Sequence, residues 1–324
     1  MTTQEKIAVL VVLVVVAVVY IGAAWLAGTE IAANVRHQPV APARVAARWV
    51  FLVLALAGVA LAAYGYIVEP HRLEVSTVRI GCDKLPPGSA PIRIAHLSDV
   101  HSEPVGRLEK RLVHEVSRFR PDVICFTGDA ANIADGIGVF RRLLADLAKI
   151  APTYGVAGNW DMTNGWADEM FDNTGATRLA GQSVQLTTKG GQKLTIAGAD
   201  PGDHLQTAGA LAQLDASLPT IFLQHYPSGI TLLPPDKVDL MLSGHVHGGQ
   251  VAIPGYGAIV TLSQTGKQYE RGLYRVGHTH LYVSRGIGTE GGRLMSIRLF
   301  SPPELVLIEL VPMNQRGEQE SAEQ

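Results

Sequence analysis

Seven side chains that can bind metal ions occur in five short segments of this chain. They offer carboxylate, amide and imidazole donors without a thiolate, a set that suits Mn, Fe or Zn better than a structural zinc site. Two divalent cations held close together can clamp a phosphate, lower the pKa of a bridging water and stabilise a leaving oxygen. A carboxylate must bridge such a pair, and Asp129 is the natural candidate. The predicted donors are Asp99, His101, Asp129, Asn159, His225, His245 and His247.

A short apolar run precedes each donor segment and is typical of a β-strand. The predicted strands are Ile92–Leu97, Val123–Thr127, Tyr154–Ala157, Ile221–Leu223 and Val238–Leu242. An open α/β sheet places its site at the carboxyl ends of its strands, where these donors fall. Glycine stands before donors in three of the segments, where it permits close backbone approach or a positive φ. The pattern therefore favours an enzyme over a membrane structural protein.

The rest of the chain beyond residue 70 alternates helical and strand patterns. The predicted helices are Leu108–Phe119, Val139–Ala148 and Ala208–Ser217, and the further strands are Leu73–Ile80 at the edge of the domain, Gly272–Val276, His280–Ser284 and Leu305–Leu310. We therefore predict an α/β fold, a mixed sandwich whose strand-rich second half completes another sheet.

Two apolar runs near the N-terminus are each long enough to cross a bilayer core of roughly 30 Å. Ile7–Ala27 has 21 residues without a charge and Trp49–Val68 has 20. A cleaved signal peptide is the alternative for the first run, and a hairpin within one leaflet is the alternative for the second. We predict a membrane anchor over residues 1–70 with transmembrane helices at about 7–27 and 49–68, a catalytic domain over 71–312 and a disordered tail over 313–324.

Charge and cysteine usage exclude some classes of partner. A net charge of −2 indicates no polybasic surface, so we expect no nucleic-acid partner. The two cysteines, Cys82 and Cys125, imply no disulfide framework. Lys and Arg flank both sides of the apolar runs, which leaves the side of the membrane that holds the catalytic domain open.

In order and spacing, the donor segments resemble the signature of the calcineurin-like metallophosphoesterase superfamily. That signature reads D-x-H, GD, GNH with D or E, H, and GHxH. Its counterparts here are Asp99-Val100-His101, Gly128-Asp129, Gly158-Asn159-Trp160-Asp161, His225 and Gly244-His245-Val246-His247. The resemblance covers about residues 90–312. It implies a four-layer sandwich in which helices flank two mixed sheets.

The resemblance also distributes the donors between two metal ions. Asp99, His101 and His247 would bind one ion, Asn159, His225 and His245 would bind the other, and Asp129 would lie between them. The segments Gly248-Gly249-Gln250 and Ser284-Arg285-Gly286-Ile287-Gly288 resemble a bacterial subgroup of small, membrane-associated phosphodiesterases. The expected location is therefore a bacterial inner membrane, with the chain crossing it more than once.

One position departs from the signature. The histidine of the family's GNH, which protonates the leaving group or steadies the transition state, is Trp160 here. Tryptophan offers one N–H and cannot act as a general acid. Either the chain is a poor or inactive phosphatase, or its leaving group needs little protonation, or another residue substitutes. His204, on a predicted loop at the same strand-end face, is the candidate catalytic residue, and a solvated loop histidine is the alternative.

Residues next to Asn159 leave two questions open. Asp161 either orients a neighbouring ligand or caps the following turn. The apolar side chains near it either belong to the core or form an apolar mouth for an acyl chain. They are Tyr154, Trp160, Met162, Trp166, Met170 and Phe171.

The resemblance to this superfamily and the predicted membrane anchor together predict a membrane-anchored phosphoesterase with two metal ions. We favour a phosphodiester or pyrophosphate link over a monoester because Trp160 replaces the histidine. The anchor favours a lipid-linked substrate such as UDP-diacylglucosamine, which some family members hydrolyse; cell-envelope phospholipids and cyclic nucleotides also fit. The alternatives are a non-catalytic or sensor membrane protein that retains the metal site, and a phosphomonoesterase or protein phosphatase.

Overall fold

The computed structural model describes residues 1–290 and 296–313 of the chain. Two long helices come first, and a domain of mixed helices and strands follows them. The helices are α1 (Thr3–Val35), α2 (Pro42–Ile67), α3 (Glu109–Phe119), α4 (Ala134–Ala148), α5 (Asn159–Asn164) and α6 (His204–Ala212). The strands are β1 (Glu74–Cys82), β2 (Ile92–Leu97), β3 (Val123–Phe126), β4 (Thr153–Gly155), β5 (Thr177–Arg178), β6 (Gln182–Thr187), β7 (Lys193–Gly198), β8 (Thr220–Leu223), β9 (Leu240–Ser243), β10 (Ala252–Ile253), β11 (Gly257–Ala258), β12 (Gly272–Val276), β13 (Thr279–Val283) and β14 (Glu304–Pro312).

Two six-stranded sheets and the hairpin β10–β11 contain these strands. The first sheet has the order β1-β14-β2-β3-β4-β5, and the second has the order β12-β13-β9-β8-β7-β6. Strands β2 to β5 run parallel in the first sheet, and β7, β8, β9 and β13 run parallel in the second. Antiparallel pairs border both parallel blocks: β14 with β2, β12 with β13, and β6 with β7. Both sheets are therefore mixed.

Alternating side chains on the central strands explain how the layers pack. In β2, Ile92 and Ile94 belong to the core between the two sheets, whereas Leu97 packs with α3 and α4. In β8, Ile221 lies in the core between the sheets, and Phe222 packs with Ala210 of α6. Helices thus cover the outer face of each sheet, which makes four layers. The predicted class, two mixed sheets flanked by helices after two apolar helices, is confirmed.

The predicted bounds of two helices were wrong. Helix α4 begins at Ala134, five residues before the predicted start at Val139, and its early turns contain Gly136 and Gly138, which interrupt the hydrophobic spacing. Helix α6 begins at His204 and ends at Ala212, four to five residues earlier than the predicted Ala208–Ser217. The reason is local: the Asp203 carboxylate accepts a 2.9 Å hydrogen bond from the backbone N–H of Gln206 and caps the helix there. Hydrophobic spacing alone did not reveal this cap.

The two N-terminal helices are long and apolar enough to cross a membrane by length and composition. Their most apolar stretches are 0% and 6% buried inside the protein, so neither is a core helix of the domain. The hydroxyl of Tyr20 on α1 donates a 3.0 Å hydrogen bond to the carbonyl of Ala55 on α2. The predicted tail falls outside the described residues except for Met313.

Candidate metal centre

The five donor segments follow the carboxyl ends of five parallel strands, three in one sheet and two in the other. Asp99 and His101 follow β2, Asp129 follows β3, and Asn159 begins α5 after β4. The donors of the second sheet are His225 after β8 and the His245–His247 pair after β9. The two sheets therefore bring their strand ends to one edge, and all seven predicted donors lie there.

One group of donors consists of Asp99, His101 and His247, whose ligand atoms lie within 4.8 Å of one another. The Nε2 atoms of His101 and His247 are 3.3 Å apart, and His247 Nε2 is 3.3 Å from Asp99 Oδ1. All three side chains are buried. Three donor atoms from two segments thus converge on one point, as a metal site requires.

A second group surrounds His225. Its Nε2 lies 3.3 Å from Asp129 Oδ2 and 2.9 Å from Asn159 Oδ1, and its ring centroid lies 5.1 Å from that of His245. Asp129 Oδ2 is also 3.7 Å from His101 Nε2. Asp129 therefore lies between the two groups, the position from which a carboxylate can serve two ions.

The charge of this cluster fits a pair of divalent cations. Burial lowers the pKa values of His101 and His245 to about 4, so both imidazoles are neutral at pH 7, as metal ligands must be. Burial would also lower the pKa of His225, but Asp129 and Asp99 raise it to about 10. The negative potential of Asp129 and Asp99, which stabilises a proton on this fully buried imidazole, would equally stabilise a metal cation bound at the same place. The donor chemistry suits Mn, Fe or Zn.

Two glycines make the close approach of the segments possible. A Cβ on Gly158 would lie 2.0 Å from Asp129 Oδ1. A Cβ on Gly244 would lie 1.8 Å from the Ser98 hydroxyl and 2.1 Å from Asp99 Oδ2. Any side chain at these two points would therefore push a predicted ligand out of place.

Five of the seven donors adopt a left-handed backbone. The values of φ are 50° at Asp99, 43° at His101, 61° at Asp129, 70° at His245 and 54° at His247. Non-glycine residues seldom adopt this conformation, and it concentrates at functional sites where the surrounding structure enforces it. The fold thus holds these side chains in a costly arrangement.

Asp161 and Thr127 hold the ligands from behind. The buried Asp161 carboxylate accepts hydrogen bonds from the N–H groups of Gly158 (2.8 Å), Asp129 (2.7 Å) and Ala130 (2.9 Å). Asp161 therefore does both things that the sequence left open: it caps α5 and fixes the backbone of the predicted ligand Asp129. The carbonyl of Thr127 lies 2.7 Å from His225 Nδ1 and leaves Nε2 facing the centre.

Arg298 and Ser301, neither of which was predicted from the sequence, support His247. Arg298 is fully buried, and its guanidinium lies 3.2 Å from His247 Nδ1 while donating to the carbonyls of Ser301 and Gly288. The Ser301 hydroxyl donates a 2.8 Å hydrogen bond to the carbonyl of His247. They lie 51 and 54 residues from His247, and no local pattern marks them.

Trp160 contacts the centre through its ring and its backbone. Its ring meets that of His101 edge to face at 5.9 Å, and its backbone N–H donates to Asp129 Oδ1 at 2.9 Å. Its indole N–H donates to Glu290 at 2.9 Å. Glu290 is held in turn by Gln250, whose amide oxygen accepts from the Glu290 N–H at 2.9 Å. No local sequence pattern indicates Glu290 as a site residue, because it is 130 residues from Trp160.

The other predicted site residues lie apart from this cluster. His204 is exposed in the first turn of α6 and does not belong to the buried cluster. Met170 and Phe171 are buried in the core between the first sheet and α4. Of the apolar residues near Asn159, Met162 is the most exposed at 47%.

Comparisons with known proteins agree with this geometry. The profile of the calcineurin-like phosphoesterase family matches residues 92–249. An uncharacterized metallophosphoesterase of Bacillus subtilis, YkuE, is 32% identical over 80% of this chain and 95% of its own length. Phosphodiesterase YaeI of Escherichia coli is 29% identical over 76% of this chain and 92% of its own. A zebrafish transmembrane protein with metallophosphoesterase domain is 29% identical over 77% of this chain and 60% of its own. The chain therefore belongs to the calcineurin-like phosphoesterase family, whose members use a dinuclear divalent metal site.

Proposed function

We propose that this chain is a membrane-anchored phosphodiesterase or pyrophosphohydrolase that works with two divalent metal ions, Mn, Fe or Zn. Its proposed substrate is lipid-linked, such as UDP-diacylglucosamine. The observation that carries the proposal is the convergence of seven donors, with Asp129 Oδ2 3.3 Å from His225 Nε2 and 3.7 Å from His101 Nε2. Two bound cations would supply Lewis acidity and neutralise the charge of a phosphoryl group.

The residues of the chain prepare the site for that chemistry. The buried carboxylates and the imidazoles of the cluster provide a fixed set of donors, so little reorganisation would accompany the reaction. Asp161 and the Thr127 carbonyl hold Asp129 and His225 in place. Arg298 faces the Nδ1 of His247 and leaves Nε2 directed to the centre.

The type of phosphate link follows from the position that departs from the family signature. The indole N–H of Trp160 is engaged by Glu290, so Trp160 offers no proton to a leaving oxygen. A leaving group of low pKa, such as a phosphate, needs little protonation, whereas alkyl monoesters and diesters both expel an alkoxide, so this position favours a pyrophosphate link. The name of the E. coli relative, phosphodiesterase, supports a diester as the other proposed link.

Two residues are candidates for supplying a proton when the leaving group requires one. His204 is the residue that the sequence analysis proposed, and it lies in the first turn of α6. Glu290 is connected to the donor cluster through Trp160, which itself contacts His101. We propose Glu290 as the alternative to His204, and the two variants can be compared directly.

The membrane part of the proposal is supported by the helices α1 and α2, which have the length and composition of transmembrane spans. A relative from zebrafish that is named as a transmembrane protein has the same kind of domain. An enzyme anchored in this way encounters lipid phosphates at high local concentration. We therefore propose a multi-pass protein of the bacterial inner membrane with an anchor over residues 1–70.

The experiment is hydrolysis by the full-length chain in detergent micelles loaded with Mn²⁺. Bis-p-nitrophenyl phosphate and p-nitrophenyl phosphate are compared, and Asp129→Asn, which keeps the shape and removes the charge, is the control. We expect the diester to be hydrolysed faster, and both activities to vanish in the variant. Faster hydrolysis of the monoester would favour a phosphomonoesterase, and activity that persists in Asp129→Asn would exclude the metal centre as its source.

A further inference from the structure

The ends of the two anchor helices bind two loops of the domain, here called the interface loops: residues 250–262 and 297–301. The buried carboxylate of Glu5 on α1 accepts hydrogen bonds from the N–H (2.8 Å) and hydroxyl (2.6 Å) of Thr261. The carbonyl of Gly65 on α2 accepts from the N–H of Arg298 at 3.0 Å. Glu69, just after α2, accepts from the N–H of Ser301 at 2.7 Å.

These contacts fix the height of the interface loops relative to the apolar spans. Glu5 precedes the apolar run Ile7–Ala27 by two residues, which is about 3 Å along a helix. Gly65 lies inside the run Trp49–Val68, about 5 Å from its end. The loops are joined to each other as well, because the N–H of Ala252 donates to the carbonyl of Leu299 at 2.9 Å. Both loops therefore lie where the spans would leave the bilayer core.

Large apolar side chains on these loops are exposed. Leu262 is 64% exposed, Phe300 43%, Ile253 41% and Tyr256 38%. Leu262 and Phe300 also have a positive φ, 52° and 56°. Among the described non-glycine residues, every other positive φ falls on a polar or charged side chain. A left-handed backbone at a bulky residue costs conformational free energy, and exposing its apolar side chain to water costs more. Such a combination indicates a surface that interacts with another apolar phase.

The same loops lead directly to the metal centre. Ser301 binds the carbonyl of His247, and Arg298 lies 3.2 Å from its Nδ1. Gln250 opens the other loop and binds the backbone of Glu290, the partner of Trp160. A membrane-facing surface on the interface loops would therefore bring the metal centre close to the level of lipid headgroups.

We propose that Leu262, Phe300, Ile253 and Tyr256 form a membrane-insertion surface, and that its occupant is the interfacial region of the bilayer that holds α1 and α2. This inference rests on the proposed membrane anchor. Aromatic and aliphatic side chains beside a transmembrane span enter the headgroup region to a depth of roughly 5–10 Å. The site then takes phosphate groups that reach it along the membrane surface, which narrows the substrate class to membrane lipids.

The test uses the full-length chain in vesicles of phosphatidylethanolamine and phosphatidylglycerol. An environment-sensitive fluorophore is attached to Leu262→Cys or to Phe300→Cys, since both native cysteines are buried. Leu205→Cys is the matched control, because Leu205 is 86% exposed on α6, which packs on β6 and β7. Leu13→Cys, six residues inside the first apolar run, reports on the anchor itself. Each label is quenched by spin-labelled lipid or by iodide in the water.

We expect labels at positions 262 and 300 to lose most of their fluorescence to spin-labelled lipid and little to iodide, with the reverse at position 205. If iodide quenches the labels at 262 and 300 as strongly as the label at 205, the proposed insertion surface is wrong. If spin-labelled lipid still quenches the label at position 13 in that case, the membrane anchor itself remains supported. If iodide also quenches position 13, the anchor fails and the insertion surface fails with it. These fluorescence measurements do not depend on enzymatic activity, so their result is independent of the proposed hydrolysis.

Discussion

The indole N–H of Trp160 donates a 2.9 Å hydrogen bond to the carboxylate of Glu290, 130 residues further along the chain. The same indole ring lies edge to face with His101, a predicted ligand, at 5.9 Å. Trp160 thus connects the carboxylate of Glu290 to the donor cluster. In this chain the residue that replaces the family's histidine supports other side chains and has no free N–H of its own side chain.

Replacing Trp160 by Phe should lower activity without removing the metal ions. Phe keeps a ring against His101 but loses the N–H, and a hydrogen bond to a charged group contributes about 1.5–3 kcal/mol. We expect kcat/KM for bis-p-nitrophenyl phosphate to fall about tenfold or more, with unchanged metal content by elemental analysis. Loss of the metal ions in this variant would contradict this expectation and would mean that the hydrogen bond to Glu290 is needed to keep the donor cluster in place.

The pair Glu290→Gln and His204→Gln distinguishes the two candidate proton donors. In Glu290→Gln the new amide oxygen still accepts a hydrogen bond from Trp160, so the substitution removes mainly the proton-transfer function. A general acid contributes about 10²–10⁴-fold, and mostly for poor leaving groups. We expect Glu290→Gln to slow a methyl p-nitrophenyl diester little, but a dialkyl diester strongly. The same selective loss in His204→Gln instead would support the histidine predicted from the sequence.

Gly244→Ala should disrupt the centre, because its Cβ would lie 1.8 Å from the Ser98 hydroxyl and 2.1 Å from Asp99 Oδ2. Overpacking of this kind costs about 1–3 kcal/mol. Thermal unfolding in the absence and presence of Mn²⁺ measures both the stability and the metal response. The matched control is Gly138→Ala on α4, where the nearest atom is 3.7 Å away. The free energy of unfolding of the control should rise by up to about 1 kcal/mol, because alanine has the higher helix propensity. Equal changes in stability and in metal response in the two variants would contradict the close packing around Gly244.

Removal of the metal ions should destabilise the domain and abolish hydrolysis. A ligand that binds only the folded state raises the free energy of unfolding by about 2.7 kcal/mol when its concentration is 100 times its Kd. We expect EDTA treatment to lower Tm and Mn²⁺ to restore both Tm and activity. Asp129→Asn, which loses the carboxylate between the two donor groups, should show a much smaller metal-dependent change in Tm. An undiminished change in that variant would argue against Asp129 as a shared ligand.

The positions of the donors could be predicted because each directly follows an apolar strand. Parallel strands bring their carboxyl ends to one edge, so a local pattern such as Ile92–Leu97 before Asp99 is enough to place a ligand. The two apolar N-terminal helices were predictable for a similar reason, since length and composition decide them.

The contacts between distant segments could not be predicted. Arg298 next to His247 and Glu5 bound to Thr261 join segments 51 and 256 residues apart, and nothing in either local pattern marks the partner. The start of α6 was missed for a different reason, because a cap at Asp203 outweighed the hydrophobic spacing used to place the helix. Long-range hydrogen bonds and caps thus account for the missed features.

The most direct test of the two-metal centre is the metal content of the purified full-length chain, measured by elemental analysis beside diester hydrolysis. We predict about two equivalents of Mn, Fe or Zn per chain, in line with a two-ion mechanism, and fewer in Asp129→Asn together with lost activity. A chain that hydrolyses bis-p-nitrophenyl phosphate with no bound metal, or that binds a full complement of metal in Asp129→Asn, would contradict the account.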